Sequence, residues 1–341
     1  MKRLTALLLL LAVLLSGCAS PAPQQKQYTA TYLTLFDTVT TITGFAESPE
    51  AFRETAQAIH DDLLEYHRLF DIYHDYEGIA NLKTVNDNAG LAPVEVDGRI
   101  LALLQDCRRY WEETGGAVNA AMGSVLSLWH EARTDSIDAP TRAYLPDAAA
   151  LEEAAMHTDF NSVILDEAAS TVYLADPMLR LDVGAIAKGW ATQAAAESAP
   201  SGLLISVGGN VCATGPKTAE GTPWVVGIQA PRGEADEYLH TVYVTKGSVV
   251  TSGDYQRVYT AEGQSWHHII DPETQYPAAY WQSVTILCED SGLADALSTA
   301  LFVLPMEEGQ ALLDRFGAEA LWVDTSGKEY QSPGLSAMIR T

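Results

Sequence analysis

The sequence predicts an α+β domain in which helices are interspersed among the strands of a mixed, largely antiparallel sheet. The stretch from Pro49 to about Phe70 repeats its apolar residues with the period of a helix. Short apolar runs such as Leu203–Val207 and Ser283–Cys288 have the length of buried strands. This mixture favours an α+β fold over a doubly wound parallel sheet. We expect one compact unit of two interleaved halves with a ligand cleft between them.

Capping residues mark where the helices begin. Ser48-Pro49, Asp97 and Asp147 each stand at a helix start, and Gly115-Gly116 follows a helix end. Helices are predicted over residues 49–70, 100–114, 147–157, 190–197, 291–304 and 307–316, with a short helical piece at 129–133. Strands are predicted over residues 34–45, 163–165, 171–174, 203–207, 224–229, 240–245, 248–251, 283–288 and 320–323.

The charge of the chain is strongly acidic, with 20 Lys and Arg against 45 Asp and Glu in 341 residues. Nucleic acid is therefore excluded as a partner, because phosphate contacts along a nucleic acid need a basic surface. Any phosphate-containing ligand must be neutralised locally in such a protein. A bound divalent cation is the usual means.

The N-terminus is predicted to be a lipoprotein leader over residues 1–18. Lys2 and Arg3 precede an apolar run, Leu4–Leu15, that is too short for a comfortable membrane span. The run ends in Ser16-Gly17-Cys18, a lipobox pattern in which the cysteine is acylated when the leader is removed. We expect the mature protein to be lipid-anchored through Cys18 on the extracytoplasmic face of the cell membrane.

A polar segment follows the lipidation site. Residues 19–30, which begin with a Ser/Pro/Gln-rich run, are predicted to be a flexible tether, and residues 31–341 to be the catalytic domain. Three further cysteines, Cys107, Cys212 and Cys288, lie in apolar runs without metal-ligand spacing. They are predicted to be buried free thiols.

The stretch Leu181–Trp190 is the strongest candidate for a ligand site. An apolar strand end runs into Asp182, then a turn of small residues, then Lys188 at the start of a helix. Free N–H groups at a helix start favour an anion such as phosphate, and Lys188 would add a positive charge. Asp182 either accepts a ribose hydroxyl or fixes the loop. The alternative for the whole stretch is an ordinary strand-to-helix turn.

Other residues have the chemistry of a ligand site. Asp295 and Thr299 stand four residues apart on a predicted helix, where both oxygens face one side and suit a hard cation. His268, in a His-His pair before Asp271, is the best candidate for a general base. An aromatic residue of the segment 69–88 would suit stacking on a flat ring.

Two classes of function remain open from these residues. One is an enzyme that acts on a phosphate-containing ligand with a divalent cation. The other is an extracytoplasmic binding lipoprotein, which needs a pocket but no histidine pair and no cation ligands on a helix. Under the second hypothesis magnesium is irrelevant and the ligand is returned unchanged.

Taken together, the motifs resemble those of the ApbE family, flavin transferases that move FMN from FAD onto a threonine or serine of a protein. The resemblance extends from about Leu35 to Asp324. It rests on five blocks in order: Phe36-Asp37-Thr38; Gly115-Gly116-Ala117-Val118-Asn119; Asp182 to Gly189; Thr251 to Tyr255 with His267 to Pro272; and Ala294 to Ala300.

The resemblance implies a role for each matching residue. It implies that Asp182 and Lys188 contact FAD, that Ile270 lies beside the ligand, and that Tyr73 stacks on the flavin ring. The other flavin-binding positions are Phe36, Ala117, Val118 and Asn119. It further implies a base, His268, and Mg²⁺ ligands at Asp295 and Thr299, with main-chain oxygens at Ala185 and Ser298.

The activity implied is Mg²⁺-dependent transfer of FMN from FAD to a Ser or Thr hydroxyl of an extracytoplasmic flavoprotein, with release of AMP. The alternatives are an FAD pyrophosphatase, in which water replaces the hydroxyl, and a non-enzymatic flavin-binding lipoprotein. The chain departs from the family at Asn119-Ala120-Ala121, where an acid and Pro-Thr are usual. It also has Glu273-Thr274-Gln275 where a basic residue, Thr and Gly are usual.

Overall fold

The computed structural model describes residues 25–234 and 237–340 of the chain. The predicted leader with its lipidation residue Cys18 lies outside these residues. The strands are β1 (Lys26–Leu35), β2 (Thr38–Ala46), β3 (Val94–Glu95), β4 (Val163–Asp166), β5 (Thr171–Leu174), β6 (Leu203–Val207), β7 (Asn210–Ala213), β8 (Trp224–Gln229), β9 (Tyr238–Val244), β10 (Gly247–Gly253), β11 (Tyr259–Ala261), β12 (Gln264–Trp266), β13 (Trp281–Cys288), β14 (Glu319–Asp324) and β15 (Glu329–Gln331).

The helices alternate irregularly with these strands. They are α1 (Pro49–Phe70), α2 (Leu82–Asp87), α3 (Gly98–Glu113), α4 (Gly123–Asp138), α5 (Ala148–Ala155), α6 (Ala187–Ser198), α7 (Ser291–Val303) and α8 (Met306–Phe316). Within the described ranges, no helix combines the length and the apolar character that crossing a membrane requires.

Eight strands form the main sheet in the order β1-β2-β6-β7-β10-β13-β14-β15. Every neighbouring pair in this order is antiparallel. Smaller antiparallel sheets are formed by β3-β5-β4, by β8 with β9 and by β11 with β12. The α+β prediction is confirmed, and the named strand pairs of the described residues are antiparallel throughout rather than mixed.

The first strands correct two predictions. The β-rich segment around Phe36-Asp37-Thr38 is two strands, with Leu35 paired to Thr38 across a two-residue turn. Phe36 and Asp37 both have positive φ, 51° and 52°, which is the conformation that a tight hairpin requires. The tether predicted over residues 19–30 is also shorter, because residues 26–30 pair with β2 as part of β1.

The predicted helix starts are confirmed by their capping hydrogen bonds. Ser48, Asp97 and Asp147 each accept a backbone N–H of the first turn. The helical piece around Trp129 is longer than predicted, because α4 runs for 16 residues. The strands β3, β7, β11, β12 and β15 were not predicted. They are two to four residues long, too short to establish a periodicity.

The helices α1, α6 and α7 cover one face of the main sheet and bury the largest core, which includes Leu63, Ile205 and Phe302. A smaller cluster joins α4 to the β11–β12 hairpin around Trp129 and Tyr259. The candidate site lies between these two clusters. The predicted cleft between two parts of one unit is therefore present.

The helices α6 and α7 cross at very short range. The Gly189 N–H donates to the Asp295 carboxylate at 2.8 Å. A Cβ at position 189 would stand 2.2 Å from the Ser291 carbonyl oxygen and 2.5 Å from the Asp295 Cβ. Glycine at this position is therefore required for the crossing, and the crossing is what places Asp295 beside Lys188.

The three described cysteines are free thiols, as predicted. Cys107 is fully buried in the main core, Cys212 is buried and Cys288 is partly buried. Burial raises the pKa of each of these thiols, so they remain protonated and unreactive at neutral pH.

We predict that Gly189→Ala lowers the free energy of unfolding by about 1 to 3 kcal/mol, because the added methyl group overpacks the helix crossing. Urea denaturation followed by circular dichroism measures this change. The matched control is Gly98→Ala, since Gly98 also begins a helix but has no atom within 4 Å of the added Cβ. Equal stability of the Gly189→Ala variant and the control would contradict the prediction.

Candidate active site

A cavity of about 410 Å³ brings together most of the predicted site residues. It is lined by segments from eight different parts of the chain, which only the fold makes neighbours. The predicted residues that line it are Tyr73, Ala117, Val118, Asn119, Asp182, Ala185, Lys188, His268, Ile270, Asp295 and Thr299.

Two predicted residues lie elsewhere. Phe36 lines an adjoining cavity of about 470 Å³, which shares Tyr73, Asp182 and Lys188 with the first. Its ring contacts His67 edge-on, and its N–H donates to His67 Nδ1 at 3.3 Å. Ser298 is fully buried, and its hydroxyl is bonded to the Asp295 carbonyl oxygen at 2.9 Å and to Ser252 Oγ at 2.8 Å. The side chain of Ser298 therefore holds neighbouring groups and does not face the cavity.

The start of α6 holds a carboxylate from within the protein. The Asp295 side chain accepts the Gly189 N–H at 2.8 Å, and Lys188 Nζ lies 3.4 Å from both of its oxygens. The prediction that the free N–H groups at this helix start receive a ligand phosphate is thus corrected. The Gly189 N–H is satisfied by Asp295 and the Ala187 N–H by the Val183 carbonyl oxygen. The positive charge available to a ligand is that of Lys188.

The oxygen donors around Asp295 fit a small hard cation. Its carboxylate is 3% exposed, yet its ion pair with Lys188 is long for a buried pair. Thr299, one turn further along α7, and the loop residue Ala185 line the same cavity. Among the described residues there is no cluster of three His, Cys, Asp or Glu side chains that would hold a metal. A site here would combine one carboxylate, a hydroxyl, carbonyl oxygens and ligand phosphate, which is the usual donor set for Mg²⁺.

Asp182 fixes the loop that follows it. Its Oδ1 accepts the Gly184 N–H at 2.8 Å, and burial raises the pKa of its carboxyl group. Of the two roles predicted for Asp182, the structure contains the loop contact. Because the side chain also lines both cavities, it remains available to a ligand hydroxyl.

The two adjacent histidines have different environments. His267 is bonded on both nitrogens: Nε2 lies 2.9 Å from the Ala278 carbonyl oxygen, and Nδ1 accepts the Ile269 N–H at 3.2 Å. His268 has no hydrogen-bond partner for its buried Nδ1 among the described residues. Burial, together with the nearby charge of Arg257, lowers the pKa of His268 to about 3. His268 is therefore neutral at pH 7 with a free nitrogen, as a general base must be.

The loop after α3 lies along the cavity, as the small-residue motif predicts. Asn119 uses its side chain within the protein, donating to the Thr158 carbonyl oxygen at 2.8 Å and accepting the Ala121 N–H at 2.9 Å. The backbone and apolar side chains of Ala117 and Val118 are what remains for a ligand. The departure from the family pattern at Asn119-Ala120-Ala121 is thus accommodated by an internal hydrogen bond.

The departure at Gln275 is accommodated by the backbone. Gln275 has a φ of 60°, a left-handed conformation in which glycine is favoured. Its side-chain amide donates to the carbonyl oxygens of Pro272 and Glu273 at 3.0 and 2.8 Å. Its own carbonyl oxygen accepts the indole N–H of Trp129 at 2.8 Å. The turn after Asp271 is therefore kept without the glycine.

Tyr73 stands at the boundary of the two cavities. Its side chain is 50% exposed, and its ring is stacked on His130 with centroids 5.2 Å apart. Burial of the hydroxyl end and the charge of Asp182 raise the pKa of Tyr73 to about 12. A flat ligand ring would find a free aromatic face here.

Several cavity residues were not predicted. Arg133 and Arg257 add positive charge, His130 supports Tyr73, and the buried Asn210 and Tyr259 each have a polar atom without a partner among the described residues. A signal for Arg257 was present in the sequence, because it follows the Thr251–Tyr255 motif by two positions in a chain with few basic residues. Nothing local distinguishes Asn210 or Tyr259 from core residues.

Comparison with protein families identifies the chain. A family model described as the ApbE family matches residues 36–322. A protein of Treponema pallidum (strain Nichols) named FAD:protein FMN transferase is 39% identical over 277 residues, which cover 76% of this chain and 75% of that protein. A protein of Klebsiella pneumoniae (strain 342) with the same name is 31% identical over 277 residues, covering 77% of this chain and 83% of that protein.

Solved structures show the same fold. The crystal structure of an ApbE protein from Thermotoga maritima MSB8 superposes with a TM-score of 0.82 at 30% identity, covering 93% of this chain and 100% of that one. The flavin transferase ApbE from Vibrio cholerae gives a TM-score of 0.76 at 22% identity, covering 92% of this chain and 100% of that one. The second likeness supports the fold alone.

We predict that His268 makes the folded protein less stable in acid. The pKa of His268 is about 3 in the folded state, below the ordinary histidine value of 6.5. As the pH falls from 6.5 towards 3, the unfolded chain takes up a proton that the folded chain does not, so this histidine increasingly favours unfolding. His268→Gln should therefore gain stability relative to the wild type at about pH 5 compared with about pH 8.

Urea unfolding of both proteins at the two pH values measures the difference. His60→Gln is the matched control, because His60 lies on α1 and does not line the cavity. A stability difference between His268→Gln and the wild type that does not change with pH would mean that His268 is not held neutral.

Proposed function

The chain belongs to the ApbE family and is an enzyme of the transferase class, and we propose that its reaction is Mg²⁺-dependent transfer of FMN from FAD. The acceptor is a Ser or Thr hydroxyl of a partner flavoprotein, and AMP is released. The observation that supports this most is one cavity containing a neutral histidine with a free nitrogen, next to the buried Lys188–Asp295 pair. A base and a charged phosphate site are what transfer of a phosphoryl-linked group requires.

The proposed transfer is a single displacement at phosphorus. The acceptor hydroxyl gives its proton to His268 while its oxygen attacks the phosphorus on the FMN side of FAD. A phosphoester bond forms to the acceptor, the bond from that phosphorus to the AMP oxygen breaks, and AMP leaves. No covalent bond to the enzyme is required. The negative charge of the bound diphosphate would also raise the pKa of His268 from its value of about 3, which makes the base more effective when substrate is present.

Asp295, Thr299 and the Ala185 carbonyl oxygen are the residues that would hold Mg²⁺. The ion supplies charge neutralisation of the diphosphate when it is bound. Lys188 lies 3.4 Å from the Asp295 carboxylate and supplies a second positive charge that can move onto a phosphate oxygen. Ser298, whose hydroxyl bonds the Asp295 carbonyl oxygen, orders the helix turn that carries these ligands.

Tyr73, Asp182 and Ile270 would bind the flavin half of FAD. The Tyr73 ring presents a half-exposed face, and Asp182 offers a carboxylate oxygen to a sugar hydroxyl. Ile270 is buried in the cluster that joins α4 to the β11–β12 hairpin, and it forms an apolar wall of the cavity. Phe36 would contact the ligand from the adjoining cavity.

We propose that the enzyme works on the extracytoplasmic face of the cell membrane, anchored through an acylated Cys18. Seven residues separate Cys18 from the first residue of β1. Fully extended, such a segment spans at most about 25 Å. This anchor would keep the enzyme at the membrane surface, which favours membrane-bound or membrane-associated flavoproteins as acceptors.

Transfer is tested with the chain lacking residues 1–18, incubated with FAD, Mg²⁺ and a candidate flavoprotein domain. We expect the intact mass of the acceptor to rise by one FMN unit and AMP to be released, with neither event in the presence of a chelator. AMP and free FMN without a mass gain would favour the pyrophosphatase reaction. Intact FAD in every sample would favour a non-enzymatic flavin-binding lipoprotein.

The proposed roles predict distinct effects of two substitutions. His268→Ala should lower the transfer rate about 100- to 10,000-fold, the usual contribution of a general base, and leave FAD bound. Asp295→Ala should reduce Mg²⁺-dependent turnover to background. Initial rates and flavin-fluorescence titrations measure both. The controls are His60→Ala and Asp314→Ala, which change helix residues that line neither cavity. Transfer by His268→Ala at the wild-type rate would show that His268 is not the base.

A further inference from the structure

Arg257 faces the candidate active site without a partner from the protein. It lies in the loop between β10 and β11 and lines both cavities. Within the described residues its guanidinium has neither a salt bridge nor a hydrogen bond with any group. The nearest acid in sequence, Asp254, is bonded to Arg232 at 2.7 Å instead. The loop is thus anchored by another ion pair, and the exposed side chain of Arg257 is open both to the cavities and to solvent.

The backbone at Arg257 adopts an unfavourable conformation. Its φ is 48°, in the left-handed region that glycine or asparagine would occupy at lower cost. Such conformations persist where the surrounding structure holds them, and they cluster at ligand sites. A sequence selected for the stability of this loop alone would not keep arginine there.

Arg133 adds a second positive charge to the same cavity. It lies on α4, and its one polar contact among the described residues is Nη2 to His130 Nδ1 at 3.5 Å. Burial and the charge of Arg257 lower the pKa of Arg133, so the two guanidinium groups are close enough to repel each other. Neither guanidinium forms an ion pair among the described residues, although Asp37, Asp182 and Asp295 line the same cavity.

We propose that Arg133 and Arg257 form an anion subsite that binds the diphosphate of the substrate and does so without the metal. The identity of the substrate in this inference rests on the proposed function. The existence of the anion subsite does not. The planar fork of each arginine matches two phosphate oxygens, and a diphosphate offers enough oxygens for both. The pair lies close to His268, since both charges act on that histidine, and so the subsite adjoins the reacting centre.

With this subsite, two separate sets of groups neutralise the charge of the diphosphate. The arginines hold the diphosphate in place, and Asp295 would hold a cation that neutralises its charge during turnover. FAD binding should therefore survive removal of the metal, while turnover should not. This differs from an acidic protein in which the divalent cation alone makes phosphate binding possible.

Binding in the presence of a chelator tests the subsite. Inorganic pyrophosphate and FAD are titrated separately into the chain lacking residues 1–18, and the dissociation constant is measured by calorimetry. The variants are Arg257→Gly, Arg257→Lys and Arg133→Gln. Each loss of a charge-assisted contact should weaken binding of both ligands about 10- to 100-fold. Arg257→Lys should recover part of the loss, because the charge remains while the fork is removed.

Arg257→Gly separates loss of binding from loss of folding. Glycine relieves the strained backbone, so this variant should be at least as stable as the wild type in urea while it loses affinity. The matched control is Glu262→Gly, a change at another left-handed position, φ 53°, in the β11–β12 turn. Arg53→Gln, on the exposed side of α1, controls for removal of one positive charge.

The outcomes distinguish the two proposals. If Arg257→Gly and Arg133→Gln both bound pyrophosphate with wild-type affinity, the proposed subsite would be overturned, even if FMN transfer were demonstrated. Equal weakening in Glu262→Gly or Arg53→Gln would also overturn it, since the effect would not be specific to the cavity. If binding depends on the arginines but no acceptor gains FMN, the subsite stands and the proposed transferase reaction fails.

Discussion

The hydrogen bond from the Gly189 N–H to the Asp295 carboxylate organises this protein. It exists because two helices far apart in the chain cross with no room for a side chain at position 189. The crossing buries a carboxylate whose remaining partner, Lys188, is 3.4 Å away. A buried charge with so few contacts is costly unless a further group completes it. The core of the fold and the candidate metal site therefore depend on the same contact.

The charge of the cavity lining differs from that of the protein surface. The surface of the chain carries a large excess of acid, yet the cavity collects Arg133, Lys188 and Arg257. Acidic side chains near the cavity are already engaged, Asp182 with the Gly184 N–H and Asp254 with Arg232. The cavity lining thus has three basic residues beside its three acidic ones, Asp37, Asp182 and Asp295, although the protein as a whole is strongly negative. Net charge describes the protein as a whole but does not describe the site.

Much of the fold could be predicted from periodicity and capping residues. The long helices and the buried strands have enough residues to establish a period, and Ser48, Asp97 and Asp147 mark helix starts by a local mechanism. The first hairpin could not be predicted, because Phe36-Asp37 is not a residue pair that favours a left-handed turn. There the packing of Phe36 against His67 holds a conformation that the local sequence does not prefer.

The sequence by itself determined the residue types of the site, their order and the acidity of the chain, because motifs and composition are local properties. The tertiary structure decided which of those residues share a cavity: it placed Asp295 against Lys188, turned Ser298 into the core and moved Phe36 to an adjoining cavity. It also separated His267 from His268, which are equivalent in sequence, by giving hydrogen-bond partners to one and none to the buried Nδ1 of the other. The reason is physical, since burial, pKa and the availability of a nitrogen depend on neighbours brought from distant parts of the chain.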